Sequence, residues 1–308
     1  MLLSLLSVAG ASIAVQPAAA QTLLLRQPSV SDRHIAFAYA NNIWAVDRAG
    51  GEARRITSYH GQTADPKLSP DGKWIAFTGE YGGTGSVYLV PVEGGDARRL
   101  TWHPAGSRVT GWTPDSRRVV FASSRSSPNG GITKFWTVSI DGGAESPMTI
   151  PRGSDGAYSP DGQRFAYVMP NIWDPEWRNY RGGQARPLSV VTLGNLEVER
   201  PTWTGSRDVS PAWLGETVYF LSDRDYLMNI WSYDPRTKRT VQVTKFTDYD
   251  IKSLSAGGGA LVYEQGGRIH LLDPKVGRPQ SVNIVARGDF PWLVPQWKGV
   301  ERLVQSAS

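Results

Sequence analysis

The sequence predicts an all-β fold, a six-bladed β-propeller of four-stranded antiparallel blades, on three observations. A turn recurs almost unchanged at residues 68–77 (LSPDGKWIAF), 112–121 (WTPDSRRVVF) and 158–167 (YSPDGQRFAY). Its prolines, Pro70, Pro114 and Pro160, stand 44 and then 46 residues apart, a period that marks a repeat architecture. Four short apolar runs fill each period, and no helical periodicity is sustained in a chain punctuated by 33 Gly and 21 Pro.

Each element follows from that unit. Ser or Thr opens the turn, Pro presets φ at the second position, Asp tolerates the third, and Gly takes the fourth in two of the three copies. An alternating strand such as Trp74-Ile75-Ala76-Phe77 comes next. A degenerate fourth copy begins at Ser210-Pro211. In the second unit the strands fall at about 66–69, 74–78, 86–91 and 97–101, with Gly-rich links at 81–85 and 93–96. The order returns around 119–123 and 135–140, around 218–222 and 230–233, and around 260–264 and 269–273. Six units result, at roughly 29–58, 64–101, 107–150, 155–202, 208–246 and 250–285, inside a propeller domain spanning 21–288. No terminal strand is expected to be shared between the first and last units, so their join would rest on apolar side-chain contact. Residues 289–308 read as a linker or the start of a following domain.

Residues 1–20 differ from the rest. They carry no charge, hold an apolar stretch over 2–15, and end Ala18-Ala19-Ala20 before Gln21. This describes a secretory signal peptide cleaved after Ala20, although no Lys or Arg precedes the apolar run. The stretch is shorter than the about 20 apolar residues of a membrane span. A periplasmic or secreted destination is expected, with no transmembrane span.

Twelve Trp and twelve Tyr suit packing between blades. Cysteine is absent, which excludes a disulfide, a thiol nucleophile and a thiolate metal site. The formal net charge is +5, but basic residues come in pairs: Arg54-Arg55, Arg98-Arg99, Arg117-Arg118 and Lys238-Arg239. These read as solvated outer-strand charges guarding sheet edges, not as a nucleic-acid surface. The sequence contains no Gly-x-Ser-x-Gly, no His-Glu-x-x-His and no phosphate-binding Gly-x-x-x-x-Gly-Lys-Ser/Thr. His34, His60, His103 and His270 have neither metal-ligand spacing nor a partner motif. Asp71 and Asp161 read as turn formers. No catalytic residue, cofactor or metal site is expected in this chain.

The turn repeat resembles the PD40 repeats of TolB-type and tricorn-type propellers. Longer stretches narrow the likeness to the N-terminal propeller of tricorn-type serine peptidases. They are Tyr180-Arg181-Gly182-Gly183 with Trp177 before it, residues 218–224 (VYFLSDR), 247–252 (TDYDIK), and 262–264 (VYE) followed by 266–270 (GGRIH). The resemblance implies a six-bladed propeller that precedes a second propeller, a PDZ domain and a catalytic domain, none of which this chain contains. No catalytic residue of that family has a matching position here. It further implies a passage or filter for peptide or unfolded polypeptide, in a protein whose partners are downstream peptidase domains, other proteins or further copies of itself in a homo-oligomer. The alternative is a stand-alone TolB-like periplasmic scaffold that binds proteins. A propeller enzyme acting in its channel is disfavoured by the lack of paired carboxylates at loop positions.

Links between the second and third strands of the blades should emerge together on one face, at about 40–42, 80–85, 124–133, 169–187, 223–229 and 265–267. Tyr81, Arg125, Tyr180, Arg181, Arg224 and Tyr226 fall in or beside them, a candidate ring for acidic groups or carboxylates of peptides. The longest link, 169–187, adds Trp173 and Trp177 and reads either as a docking loop or as a plug folded over its blade.

Overall fold

A computed structural model describes residues 21–128, 131–169, 179–183, 185–290, 295, 297 and 299. The expected signal peptide at 1–20 lies outside the described residues. Blade one comprises β1 (Arg26–Val30), β2 (His34–Tyr39), β3 (Asn42–Asp47) and β4 (Gly51–Arg55). Blade two has β5 (Thr63–Leu68), β6 (Trp74–Gly79), β7 (Ser86–Pro91) and β8 (Arg98–Arg99). Blade three has β9 (Arg108–Trp112), β10 (Arg118–Ser123), β11 (Lys134–Ser139) and β12 (Ser146–Pro147). Blade four has β13 (Asp155–Tyr158), β14 (Arg164–Val168), β15 (Ser189–Thr192) and β16 (Val198–Glu199). Blade five has β17 (Asp208–Leu214), β18 (Thr217–Asp225), β19 (Leu227–Asp234) and β20 (Arg239–Gln242). Blade six has β21 (Ile251–Gly257), β22 (Ala260–Gln265), β23 (Arg268–Leu272) and β24 (Gln280–Ser281), and β25 (Ile284–Ala286) follows. Within each blade the strands pair antiparallel in chain order, and no helix occurs among the described residues. The first strand of every blade is innermost and contributes to the wall of a central channel.

The recurring turn is built as its chemistry requires. The Ser69 hydroxyl donates to the Asp71 carboxylate (2.6 Å) and accepts from the Trp74 amide (3.0 Å), while Asp71 accepts from the Lys73 amide (3.2 Å). Gly72 sits at φ 71°, in the left-handed region that favours glycine. In the next copy Ser116 holds that place at φ 61°, and its hydroxyl accepts from the Asp71 amide of the neighbouring blade (3.1 Å). A hydrogen bond between blades explains why a strained serine is kept there. Ser210-Pro211, expected to open a fourth copy, instead lies within β17, and blade five turns at Gly215.

Apolar clusters sit between blades. The largest fully buried side chains include Trp44, Tyr233, Tyr263 and six phenylalanines, among them Phe77 and Phe121. Three of the basic pairs also reach a neighbouring blade, Lys238 by pairing with Glu199 of blade four. Arg54 donates to the Val92 and Glu93 carbonyls of blade two, and Arg98 donates to the Ile140 carbonyl of blade three. A threonine staple also repeats. The hydroxyls of Thr57, Thr101 and Thr244 each accept from a buried amide of the adjoining third strand, at Ile43, Val87 and Ile230, all at 2.9 Å. Its trace in the sequence is the recurring Ile-Thr, Leu-Thr and Val-Thr that closes those periods.

The join between blades six and one corrects the expectation of apolar contact alone. Strand β25 leaves blade six and pairs parallel with β4, so blade one carries five strands. The Thr22 amide donates to the Ile284 carbonyl (2.8 Å), and the Thr22 hydroxyl accepts from the Ala286 amide (2.8 Å). Phe290, expected in a linker, packs on Tyr39 and Trp44 at 5.6 and 5.9 Å. The two ends of the propeller therefore hold one another through backbone hydrogen bonds as well as packing. Ile284 is fully buried in the cluster between blades six and one. An Ile284→Ala change is expected to lower unfolding free energy by about 2–5 kcal/mol, the range for a large-to-small change in a core. Urea titration checks this, and a loss no larger than that of an exposed-strand change such as Val241→Ala would refute the closure's role.

Candidate functional site

The six innermost strands enclose a channel cavity of about 970 Å³. Five of these strands are interrupted by a β-bulge, at 27–28, 65–66, 110, 210–211 and 252; β13 pairs without one. In three of them a left-handed residue precedes proline: Gln27 (φ 52°), Asp65 (φ 52°) and Ser210 (φ 51°). Such a conformation before proline costs of order 1–3 kcal/mol and needs neighbours to hold it.

At two of the three, a belt of side chains supplies that hold. Glu264 of blade six accepts from the Gln27 amide of blade one (3.0 Å) and from the Ser253 hydroxyl (3.2 Å). The Gln27 side chain exchanges two hydrogen bonds with Asp65 of blade two, at 2.9 and 3.2 Å. Asp65 then pairs with Arg108 of blade three (3.5 Å), which also donates to the Ser154 carbonyl beside blade four. The links from Glu264 to Gln27, Gln27 to Asp65, Asp65 to Arg108 and Arg108 to Ser154 each cross a blade junction. Burial works against the Arg108 charge, but Asp65 and Asp155 outweigh it and hold the guanidinium above its ordinary value. Burial also pushes the Asp155 carboxyl up, opposed by Arg108 and Lys67.

Polarity changes along the channel. Near the starts of the inner strands stand Arg26, Asp65, Arg108, Asp155, Asp250 and Lys252, with Glu264 of the adjoining second strand beside them and Lys67 further along β5. Near the strand ends the wall is Leu68, Trp112, Tyr158, Trp213 and Leu214, with a rim of Pro70, Pro114 and Pro160 from the recurring turns. One mouth is thus charged with both signs, and the other is apolar. The sequence reading missed this lining. Its trace was the Gln-Pro, Asp-Pro and Ser-Pro pairs at one place in three inner strands.

The structure revises the expected ring at the channel mouth. Arg125 and Arg224 lie inside the wall, with side chains 5% and 6% exposed. Arg125 binds Glu145 and the Ser107 hydroxyl (2.8 Å) and is sandwiched between Phe121 and Trp136 at 5.0 and 5.1 Å. Arg224 pairs with Asp208 (3.1 Å) between Phe220 and Trp231, at 5.1 and 4.9 Å. Both guanidiniums are spent on partners within their own blades, in one sandwich built twice. Tyr81 fills the matching place in blade two, packed on Tyr59 and Tyr88 at 4.6 and 4.8 Å, and burial pushes its hydroxyl up to about 12. Arg181 is 37% exposed and binds the Asp223 carboxylate (3.0 Å) and carbonyl (2.8 Å). With Asn179, whose amide also donates to Asp223 (3.1 Å), it ties the described end of the long link to blade five. Tyr180 is half-buried, and a side chain on Gly182 would strike its ring. Tyr226 alone of the six stands well out, 73% exposed at the tip of the β18–β19 hairpin. Trp173 and Trp177 lie outside the described residues.

Residues 22–278 match the family model described as the tricorn protease N-terminal β-propeller domain. A tricorn protease homologue of Saccharolobus solfataricus is 29% identical over 254 residues, covering 80% of this chain and 23% of that protein. The crystal structure of the tricorn protease superposes with a TM-score of 0.75 at 24% identity, over 84% of this chain and 26% of that one. A putative TolB from Agrobacterium tumefaciens superposes with a TM-score of 0.54 at 19% identity, over 85% of both chains. The chain spans about a quarter of the length of the tricorn relatives it matches.

The arginine sandwich has a measurable consequence. The Asp208 side chain is 1% exposed, and burial raises its pKa while Arg224 and the Ser222 hydroxyl oppose the rise. An Arg224→Met change leaves that carboxylate uncompensated and is expected to cost about 3–5 kcal/mol at neutral pH. An acid raised on folding loses stability as pH climbs through its folded pKa. Removing Arg224 raises Asp208 further, so the deficit should shrink as pH falls toward the acid range. Denaturation across pH tests this; a deficit independent of pH would show that the pair is not electrostatically coupled.

Proposed function

The chain belongs to the tricorn protease N-terminal β-propeller family, and from that premise we propose that its channel admits or binds extended polypeptide without cleaving it. The observation that carries this reading is the continuous channel, walled by six strand edges, charged at one mouth and apolar at the other. Its wall offers hydrogen-bonding groups of both kinds and apolar surface, the mixture that an extended peptide of varied sequence presents in turn. Within a longer tricorn-like protease, such a channel would serve substrate access. Because the native chain has no cysteine, a single introduced thiol reports position uniquely. A Ser255→Cys variant, in the channel wall, is expected to cross-link to a peptide carrying a thiol-reactive group. Val241→Cys, on an outer strand, should not. Equal labelling of both positions would refute passage through the channel.

A second reading, a stand-alone protein-binding scaffold of the TolB kind, is favoured by the closure of the ring by its own ends through β25 and Thr22. Under this reading labelling would concentrate on the outer surface.

We also propose export, supported by the apolar run ending in Ala18-Ala19-Ala20. Gln21 and Thr22, which follow directly, already bond the Val282 and Ile284 carbonyls. Mass spectrometry of the protein from an exporting bacterial host is expected to find Gln21 at the mature N-terminus. Retention of residues 1–20 would overturn the proposal.

A further inference from the structure

Resting on the export reading, in which cleavage leaves Gln21 at the mature N-terminus, we infer that Gln21 is a site of self-modification held in check by the closed ring of blades. The reaction is closure of its α-amine on its own side-chain amide to give a pyroglutamyl lactam. The amine nitrogen bonds to Cδ, and the bond from Cδ to Nε2 breaks. Nε2 leaves as ammonia, carrying the proton that the attacking nitrogen gives up. No oxidant, reductant or second reactant is needed.

The lactam forms only when the side chain folds back over its own amine. In the closed propeller that side chain is tied elsewhere. Gln21 Nε2 donates to the Val282 carbonyl (2.9 Å), on the stretch that leads from β24 into β25. The next residue is held on both sides of Val285: the Thr22 amide donates to the Ile284 carbonyl (2.8 Å), and the Thr22 hydroxyl accepts from the Ala286 amide (2.8 Å). Leu25 is fully buried between blades six and one, and its amide donates to the Gly267 carbonyl (3.2 Å). Residues 21–25 are therefore anchored in turn at Gln21, Thr22 and Leu25, with the Gln21 amide as the outermost tie. A terminus bonded in this way reacts only in molecules whose sixth junction has opened locally. Where reclosing outpaces the chemistry, the rate follows the fraction open. The lactam has lost Nε2, so the bond to Val282 cannot form again once the ring recloses. Each opening exposes the tie to permanent loss, and the ratio of cyclised to free Gln21 records how often the junction has opened.

The test follows ammonia loss by mass spectrometry in a chain released at Gln21 from a cleavable fusion, so that it does not depend on processing in a host. A peptide of residues 21–30 (QTLLLRQPSV) gives the unrestrained rate. Folded wild type is expected to cyclise more slowly than the peptide by about tenfold or more, and to reach the peptide's rate in denaturing urea. Thr22→Val, which removes the hydroxyl acceptor, and Ile284→Ala should each cyclise faster than wild type by about threefold or more. Val241→Ala, on an outer strand, should match wild type. Folded wild type that cyclises as fast as the peptide overturns the inference, and so do Thr22→Val and Ile284→Ala chains that cyclise no faster than wild type. Should Ile284→Ala fail to fold, Thr22→Val and the wild-type comparison still decide. Retention of residues 1–20 in an exporting host overturns the export reading instead, while the released chain still shows whether closure restrains Gln21.

Discussion

Sheets set as wedges around an axis bury both faces against neighbours, so each blade depends on two others and the ring tolerates no loose junction. Five junctions lie between blades that follow one another in the chain. The sixth must unite residues from opposite ends of the propeller, where loop-closure entropy is greatest. Here it is held by Leu25, Val30, Phe37, Trp44, Val262, Ile269 and Ile284 in one buried cluster. It is also tied by β25 on β4 and by Thr22 on both sides of Val285. Close backbone approach adds to the join. A Cβ on Gly257 would lie 2.0 Å from the Val30 carbonyl oxygen, so only glycine permits β21 to meet β1 there. The fifth strand also covers the outer edge of β4, which a bare propeller would leave open to pairing with another chain.

Inner edges pose the same hazard toward the channel, where six strands present unpaired backbone groups to anything that enters. The bulges answer it. Pro28, Pro66 and Pro211 remove donors from β1, β5 and β17, and the left-handed residue before each turns the backbone out of a continuous ladder. An extended chain placed in the channel would then meet side chains in place of a template for β-pairing. The strain is offset locally: Gln27 and Asp65 are the two bulge residues that hydrogen-bond one another across a blade junction. The device that blunts the edge is also the device that links blades six, one, two and three.

Local chemistry made the fold legible. The Ser-Pro-Asp-Gly turn is written within six residues, and the side chain and amide that it pairs are neighbours in sequence, so three copies fixed the blade and its period. Contacts between distant segments left weaker traces. Residues 284–286 read as the tail of a unit because nothing in Ile-Val-Ala announces a partner at 51–53. Ser210-Pro211 carried the first half of a turn signature, and its place in β17 was set by register against β18. Arg125 and Arg224 followed second strands and read as open loop cations. Their fate was decided by Trp136 and Trp231 on the third strands, and by Glu145 and Asp208, which lie apart in the chain. The repeated Phe-x-Ser-x-Arg at 121–125 and 220–224 was the available trace of that sandwich.

The same arithmetic of partners separates scaffold from surface. A guanidinium buried between two rings and bonded to a carboxylate has no capacity left for a ligand, whereas the charges of the channel mouth are tied to one another across junctions and remain lined along open space. Asp65 offsets Arg108, and Lys67 and Arg108 face Asp155. A wall neutralised in this way presents hydrogen-bonding groups without a strong net field. The passage proposed above would require that attachment be favourable enough to admit a chain and weak enough, over several sites, to let it move on. A single deep charge or one unbroken strand edge would hold a polypeptide fast. Paired charges at one mouth, bulged strands along the wall and apolar side chains at the other end would spread the attraction for the proposed polypeptide over many small steps.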